Sequence, residues 1–444
     1  MFHNIFGGIH LDNRKDGTRR KSLAVMGVMP ERVIIPVTDA PDGNGECCVA
    51  VGDVVSEGQP IARAGQGVMV HASISGQVEA IKPRPHPGGA PVMSVVICGD
   101  GSDERWPEHP EPVEDPAALT AEEIIARVEQ AGVLGMGGSG RPAAEKLRDA
   151  RGRVDTVIVN ATESEPYITA DHRILLEKSS AILTAVEILM KAVNAADGVV
   201  AVEADKLNAV ELLERKVTKE KRNVRVAAIP ARYPLGAEKQ VIKTVTGREI
   251  PPGGSAIDIH CVVFNVATAY AIYRAVKKGR PLTRRVVTVT GGAVTQPRNL
   301  WVPIGTPIRE VIRAAGGLRE KPDLVIMGGP MKGVTQTDLD TPVIQSTNSL
   351  ICMLDWEHHK PAEEKVCIRC GRCVAACPMH LMPLLVDKEL KLGAEVGELL
   401  RLNVQDCMGC GCCTYICPSS IPLQERMAQA RRLVEEAANG EVSP

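Results

Sequence analysis

The chain has 444 residues, with 52 Lys and Arg against 54 Asp and Glu, a net charge of −2, and 44% hydrophobic and 24% charged residues. These proportions exclude a disordered or fibrous chain, and a near-zero balance with no basic block excludes an electrostatic footprint for nucleic acid. No apolar run reaches the ~18 residues of a membrane-spanning helix, and no secretory signal opens the sequence, so the expectation is a soluble, cytoplasmic chain of about three domains, able to dock on a membrane partner.

In chain order, residues 30–100 read as short strands in which β-branched residues alternate and are split by Gly, Pro and Asp, the pattern of a small all-β unit. The phrases V-G-D-V-V-S-E-G-Q-P-I-A and A-S-I-S-G-Q-V-E-A-I resemble a lipoyl or biotinyl barrel-sandwich domain. No lysine stands at the hairpin between them where a prosthetic group would be attached, so a structural or docking role is expected for this unit, residues 1–100. Between 101 and 118, Pro107, Pro110, Pro112 and Pro116 lie among six acidic residues, which predicts an extended linker.

Thr120 opens a helix with Glu123 completing a capping box, and the helix ends near Gly132. The stretch G-M-G-G-S-G-R-P follows, in which Gly135, Gly137 and Gly140 satisfy G-x-G-x-x-G and Pro142 begins the next helix. Such a loop can present backbone N–H groups to an anion at a helix start, which makes it a candidate phosphate cradle. A dinucleotide fingerprint requires a strand directly before the glycines, whereas here a helix precedes, and a tight turn without a ligand remains the alternative.

From residue 154 strands alternate with helices, the helices spanning about 171–195, 205–217, 236–246 and 267–278. That order predicts a parallel sheet covered on both faces, with ligands beyond the carboxyl ends of its strands. The polar residues expected on that rim are Asn160, Glu163 and Glu165, then Tyr233, Gly236 and Glu238, then Asn265 and Thr268. Residues 284–335 return to a β-β-α-β order that fits a small β-grasp module. His358 and His359 stand in a polar connector, read as a solvated loop.

The connector leads to two runs of the form C-x2-C-x2-C-x3-C-P: Cys367, Cys370, Cys373 and Cys377, then Cys407, Cys410, Cys413 and Cys417. Three cysteines two residues apart can curl around one corner of an iron-sulfur cube while the fourth, carried off on a helix start, reaches the other cube. One [4Fe-4S] cluster is therefore expected on Cys367, Cys370, Cys373 and Cys417, and the other on Cys407, Cys410, Cys413 and Cys377. A four-cysteine zinc site calls for two C-x2-C pairs instead, and thiols stay reduced in the cytosol. Cys47, Cys48, Cys98, Cys261, Cys352 and Cys412 are scattered and read as buried or idle thiols.

Taken together, F-G-G-I-H at 6–10, the glycine loop, N-A-T-E-S-E-P-Y-I-T-A-D-H-R at 160–173, Y-P-L-G-A-E-K at 233–239, G-G-P-M at 328–331 and the double cysteine run resemble the C component of the Rnf electron transport complex. The middle is similar to the flavoprotein subunit of respiratory NADH dehydrogenase. The resemblance implies a multidomain α/β plus β chain: a barrel-sandwich hybrid (1–100), the linker (101–118), a Rossmann-like FMN and NAD domain (119–280), a β-grasp, SLBB-like domain (281–350) and a two-cluster ferredoxin-type domain (351–444). It also implies that Gly135, Gly137, Gly138, Gly140 and Lys146 hold FMN phosphate and flavin edge, that Asn160 and Glu163 contact the isoalloxazine side, that Gly236, Glu238, Asn265 and Thr268 finish the pocket, and that Glu165 faces the nicotinamide nucleotide.

Arg141 stands where the family usually has Phe, and Thr162 and Ser164 where it commonly has Ala and Cys. The implied function is exchange of electrons between NAD(H), FMN and two [4Fe-4S] clusters within a membrane-bound ferredoxin:NAD oxidoreductase coupled to ion movement. The chain would be peripheral on the cytoplasmic side of the bacterial inner membrane, with the other subunits as partners and ferredoxin reached indirectly. A soluble cobalamin reductase and a flavin-free electron wire are the competing readings, and the N-terminal position of the barrel-sandwich unit favours the Rnf reading over the cobalamin reductase.

Overall fold

The computed structural model describes residues 6–38, 43, 45–102, 104–138, 140–358 and 363–439. His359 and Ser139 of the glycine loop lie outside the described residues.

The all-β unit is a sandwich of two antiparallel sheets. In one, the strands Arg32–Pro36, Val92–Gly99, Gly76–Arg84 and Val54–Val55 lie side by side, and in the other Glu46–Cys47, Pro60–Arg63 and Met69–His71 do. Period-two alternation sends Val33, Ile35, Val95 and Ile97 into a shared core with Val55 and Ile61. The proline-rich segment that follows is extended but not free. Val113 N–H donates to the carbonyl of Lys277 at 3.0 Å, and Gly279 packs so closely that a Cβ there would sit 1.7 Å from the Pro110 carbonyl oxygen.

The central domain has four parallel strands in the order Arg225–Ile229, Asp197–Glu203, Thr156–Ala161 and Cys261–Asn265. The helix Ala121–Gln130 starts with both halves of the Thr120 and Glu123 capping box in place. Where one helix is expected over about 171–195 there are two, Ala170–Glu177 and Ser179–Val193, parted at Lys178, whose φ of −124° leaves the helical region. Neither Gly nor Pro marks that break. It lets Glu177 accept both from Arg173 on its own helix and from the N–H of Leu23.

Leu23–Val25 is itself the edge of the β-grasp sheet, pairing in parallel with Arg298–Pro303. The six-stranded order continues with Arg284–Thr290, Ser349–Met353, Leu324–Met327 and Val334–Thr335. The segment before Arg32 therefore leaves the sandwich and runs under the central and β-grasp domains, and the last β-grasp strand reaches three residues beyond 350. The C-terminal domain is helical, with Leu381, Val386, Leu399, Val404, Met427 and Ala430 as its core.

Candidate functional site

The two cysteine runs fold alike. In each, a glycine of positive φ, Gly371 at 72° or Gly411 at 78°, precedes a short helix, Arg372–Ala376 or Cys412–Tyr415. Only glycine enters that turn at low cost. Cys367, Cys370, Cys373 and Cys417 line one cavity of about 390 Å³, and Cys377, Cys407, Cys410 and Cys413 line another of about 370 Å³. The near-equal sizes and the crossed grouping suit two copies of one cofactor. Cys412 also borders the second space, but the four thiols of each run-and-crossover set, with N–H groups of Leu381 and Gly409 directed at the sulfurs of Cys377 and Cys407 at 3.4 and 3.5 Å, are the donor set of an iron-sulfur cube, so the residues fit the group.

The cavities differ in surroundings. Cys367 and Cys370 of the first are exposed, beside Val366 and Ile368, which are 87% and 67% accessible. The second is pressed against the central domain. Tyr233 Oη donates to the Cys410 carbonyl at 2.7 Å, Gln240 Nε2 to the Pro378 carbonyl at 3.1 Å, and Gly8 N–H to the Ala376 carbonyl at 2.9 Å, while Lys239 Nζ meets Asp406 at 3.0 Å. Cys412, read from sequence as an idle thiol, is buried in an apolar patch with Ile9, Tyr233 and Ala376.

On the other side of the Tyr233–Gln240 segment lies the glycine loop. Gly135 N–H donates to the Arg141 carbonyl, closing the loop, and Gly138 takes φ +102° with open space above it. Met136 N–H donates to Thr268 Oγ1 at 2.9 Å, and a Cβ on Gly137 would lie 2.9 Å from the Cβ of Asn265. Asn265 cannot yield easily: its Oδ1 caps the helix Val266–Lys278 and its Nδ2 donates to Asp171 at 2.7 Å. Asn160, its partner in register on the neighbouring strand, donates to the Gly236 carbonyl at 2.8 Å. Lys146 Nζ pairs with Glu238 at 3.0 Å over the Phe264 ring.

These contacts bring Gly135, Gly137, Gly138, Gly140, Lys146, Asn160, Gly236, Glu238, Asn265 and Thr268 around one basin. A Cβ at Gly236 would lie 2.6 Å from Thr162 Oγ1 and 2.9 Å from Ser164 Oγ, so a larger residue there would push these hydroxyls aside. The exposed backbone of Gly137 and Gly138 and the Lys146 ammonium beside them suit an FMN phosphate.

The other two expected residues turn elsewhere. Glu163, at φ +53°, accepts from the N–H of Asp171 at 2.7 Å and so caps the helix Ala170–Glu177, while Glu165 accepts from the N–H of Met331 at 3.0 Å in the G-G-P-M turn. Burial pushes the Glu163 carboxyl up to about 7, opposed by Lys15, and burial also raises Glu165. Arg141, just before the helix Ala143–Ala150, is held by Asp149 of that helix.

Sequence reading did not find the charges beneath the basin. Lys15 donates to the Glu163 carbonyl, and buried Lys206 is paired with Glu203 at 2.8 Å and Asp205 at 2.7 Å. The D-H-R that ends the 160–173 motif was the available signal for Asp171. Nor is His358 solvated as expected: its Nε2 lies 2.7 Å from Asp323 Oδ2.

Four family models match successive parts of the chain: an RnfC barrel sandwich hybrid domain over 3–102, a Nuo51 FMN-binding domain over 128–274, an SLBB domain over 286–335 and a 4Fe-4S dicluster domain over 360–418. A curated protein of Klebsiella pneumoniae, the C component of its ion-translocating oxidoreductase complex, is 42% identical over 85% of this chain and 50% of its own length. Its counterpart in Cronobacter sakazakii is 40% identical over 97% of this chain and 56% of its own. The chain thus spans about half the length of the curated relatives it matches. One solved structure, an NAD+-reducing [NiFe]-hydrogenase in the H2-reduced state, aligns with a TM-score of 0.49 at 19% identity over 73% of this chain and 61% of that one. With an RnfC-type sandwich, an FMN-binding domain, an SLBB domain and a 4Fe-4S dicluster domain in that order, and about 40% identity along most of its length, the chain is similar to the C components of ion-translocating oxidoreductase complexes.

Proposed function

We propose that this chain is the NAD(H)-linked subunit of a membrane-bound ferredoxin:NAD oxidoreductase of the Rnf type, peripheral on the cytoplasmic face, with the other subunits as partners and ferredoxin reached through them. The observation that carries the reading is the shared wall. Within Tyr233–Gln240, Gly236 and Glu238 face the glycine-loop basin through Asn160 and Lys146, while Tyr233, Lys239 and Gln240 hold the second cysteine cavity. FMN, when bound, would interconvert the two-electron chemistry of NAD(H) and the single-electron chemistry of the clusters.

The chain's own residues set position and field. The loop amides and Lys146 would hold phosphate, Asn160 and Asn265 would fix the ring's edge, and Glu165, held by the G-G-P-M turn, would border the nicotinamide side from there. The basin, the second cavity and the first cavity then form a series that ends at the exposed Cys367 and Cys370. That exposed end is where a one-electron partner within the ion-coupled complex would meet the chain.

The test is anaerobic mixing of the full chain with NADH, followed by flavin absorbance and cluster EPR. Flavin bleaching and then reduced-cluster signals are expected. A protein that carries flavin and iron but takes no reducing equivalents from NADH would remove the proposal.

A further inference from the structure

Away from the basin, four parts of the chain meet around a cavity of about 260 Å³. Its walls include Glu57 of the sandwich, Arg105 and His109 of the proline-rich segment, Arg274 and Arg280 at the end of the helix Val266–Lys278, and Thr283 before the first β-grasp strand. At about 1.5 Å per residue along that helix, the cavity is roughly 20 Å from Asn265 and the flavin basin.

The charges in this cavity do not balance. Glu57 is the wall's carboxylate, and it is already taken: Arg284 donates to it from Nε at 3.2 Å and Nη2 at 3.3 Å, and Thr283 Oγ1 at 3.0 Å. Among the described residues, Arg105, Arg274 and Arg280 have neither a hydrogen-bond acceptor nor an ion-pair partner for their guanidinium groups. Arg274 has only the ring of Trp301, 5.9 Å away on one side. Glu57 attracts Arg274 and Arg280, but it is one carboxylate already tied to Arg284, and the three further guanidinium groups repel one another and forfeit hydration where they are half-buried.

Their neighbours register that field. Desolvation lowers Arg274 and Arg280 below the usual arginine range, and His109 is held down by desolvation and then by Arg280. Such a wall costs stability unless something negative completes it. The space between these side chains is small and partly open to solvent, with room for a small ion.

We propose that this cavity binds a small, doubly charged oxyanion of the sulfate or orthophosphate class, gripped by Arg274 from within and by Arg105 and Arg280 at the mouth. Guanidinium forks match the oxygen pairs of a tetrahedral anion, and one such ion would answer all three groups at once. Because its ligands come from the proline-rich segment and the central helix, and its walls from the sandwich and β-grasp units, the ion would fasten these four parts together. Nothing in this proposal depends on the flavin or on NAD(H).

The experiment is calorimetric titration of the full, cofactor-loaded chain with sodium sulfate, and separately with sodium phosphate, at an ionic strength held constant with chloride. Saturable binding at one site is expected, together with a higher thermal midpoint in sulfate than in chloride. Arg274→Met and Arg280→Ala should each weaken binding about tenfold or more, the worth of one charge-assisted hydrogen bond, and abolish the shift in midpoint. Arg280 stands at the mouth, so its variant keeps the test decisive if Arg274→Met does not fold. Equal responses to sulfate and chloride, or undiminished binding by Arg280→Ala, would overturn the proposal.

Discussion

The cysteine cavities and the glycine-loop basin meet opposite demands. Each cavity draws its ligands from a stretch of about fifty residues and leans on short helices, with the thiols themselves supplying most of the binding energy. The basin is assembled from four separate segments, and what holds it is hydrogen bonding within the protein: Asn265 pinned at both ends, Asn160 tied to Gly236, Lys146 tied to Glu238. The contrast predicts that the cluster region leans on its cofactor for stability, whereas the flavin region is held by the protein's own hydrogen bonds.

The largest expected effect breaks the cluster side selectively. Cys417→Ala should remove the cluster of the first cavity, about half of the iron and sulfide, while the second cluster and the flavin stay. Cys377→Ala should do the reverse. Iron counts with EPR of the reduced protein decide it, and loss of only the second-cavity signal in Cys417→Ala would undo the crossed grouping.

That same contrast governs how much could be read beforehand. The cysteine spacing carries its own geometry, so the crossed grouping of thiols was legible from eight positions alone. The capping box at Thr120 was legible because both of its partners lie within four residues. The rim of the basin was legible from the strand-helix alternation, which puts Asn160, Gly236 and Asn265 at strand ends, but their roles toward a flavin were legible only through resemblance. Lys15 and Leu23–Val25 were not legible at all: a lone lysine and a three-residue strand carry no periodicity, and their partners, Glu163 and Arg298–Pro303, lie far along the chain. Lys178 breaks a helix with no breaker residue, so the break at 178 carried no local signal.

On the flavin side, Gly137→Ala places a Cβ 2.9 Å from that of Asn265, which cannot shift without loosening a helix cap and the bond to Asp171. The cost should be roughly 1–3 kcal/mol, and flavin content should fall while iron is unchanged. Retention of full flavin by this variant would show that the loop adapts to its cofactor as the cysteine runs do, which would erase the contrast.

Preorganisation also predicts a pH dependence. Buried Glu163 titrates at about 7 in the folded chain, above the ordinary 4.5, so the folded state holds a proton that the unfolded chain releases. This group's contribution to stability is therefore present below about 4.5 and lost as pH rises toward 7. Glu163→Gln keeps an acceptor for the N–H of Asp171 and removes the titration. Urea midpoints measured across that range should slope downward with pH in the parent and less so in the variant, and identical slopes would place the titrating group elsewhere.

The smallest effect sits on the wall between the two regions. Tyr233→Phe removes the donor to the Cys410 carbonyl and leaves the apolar contacts with Ile9, Ala376 and Cys412 in place. A buried carbonyl left without its partner costs about 1–3 kcal/mol, which should appear in the urea midpoint. Because thiolate bonds to iron hold the second cluster and the hydroxyl only seats the domain that carries it, iron and flavin contents should both be those of the parent. If the second cluster is lost with this one hydroxyl, the cluster region depends on a prepared seat as much as the basin does.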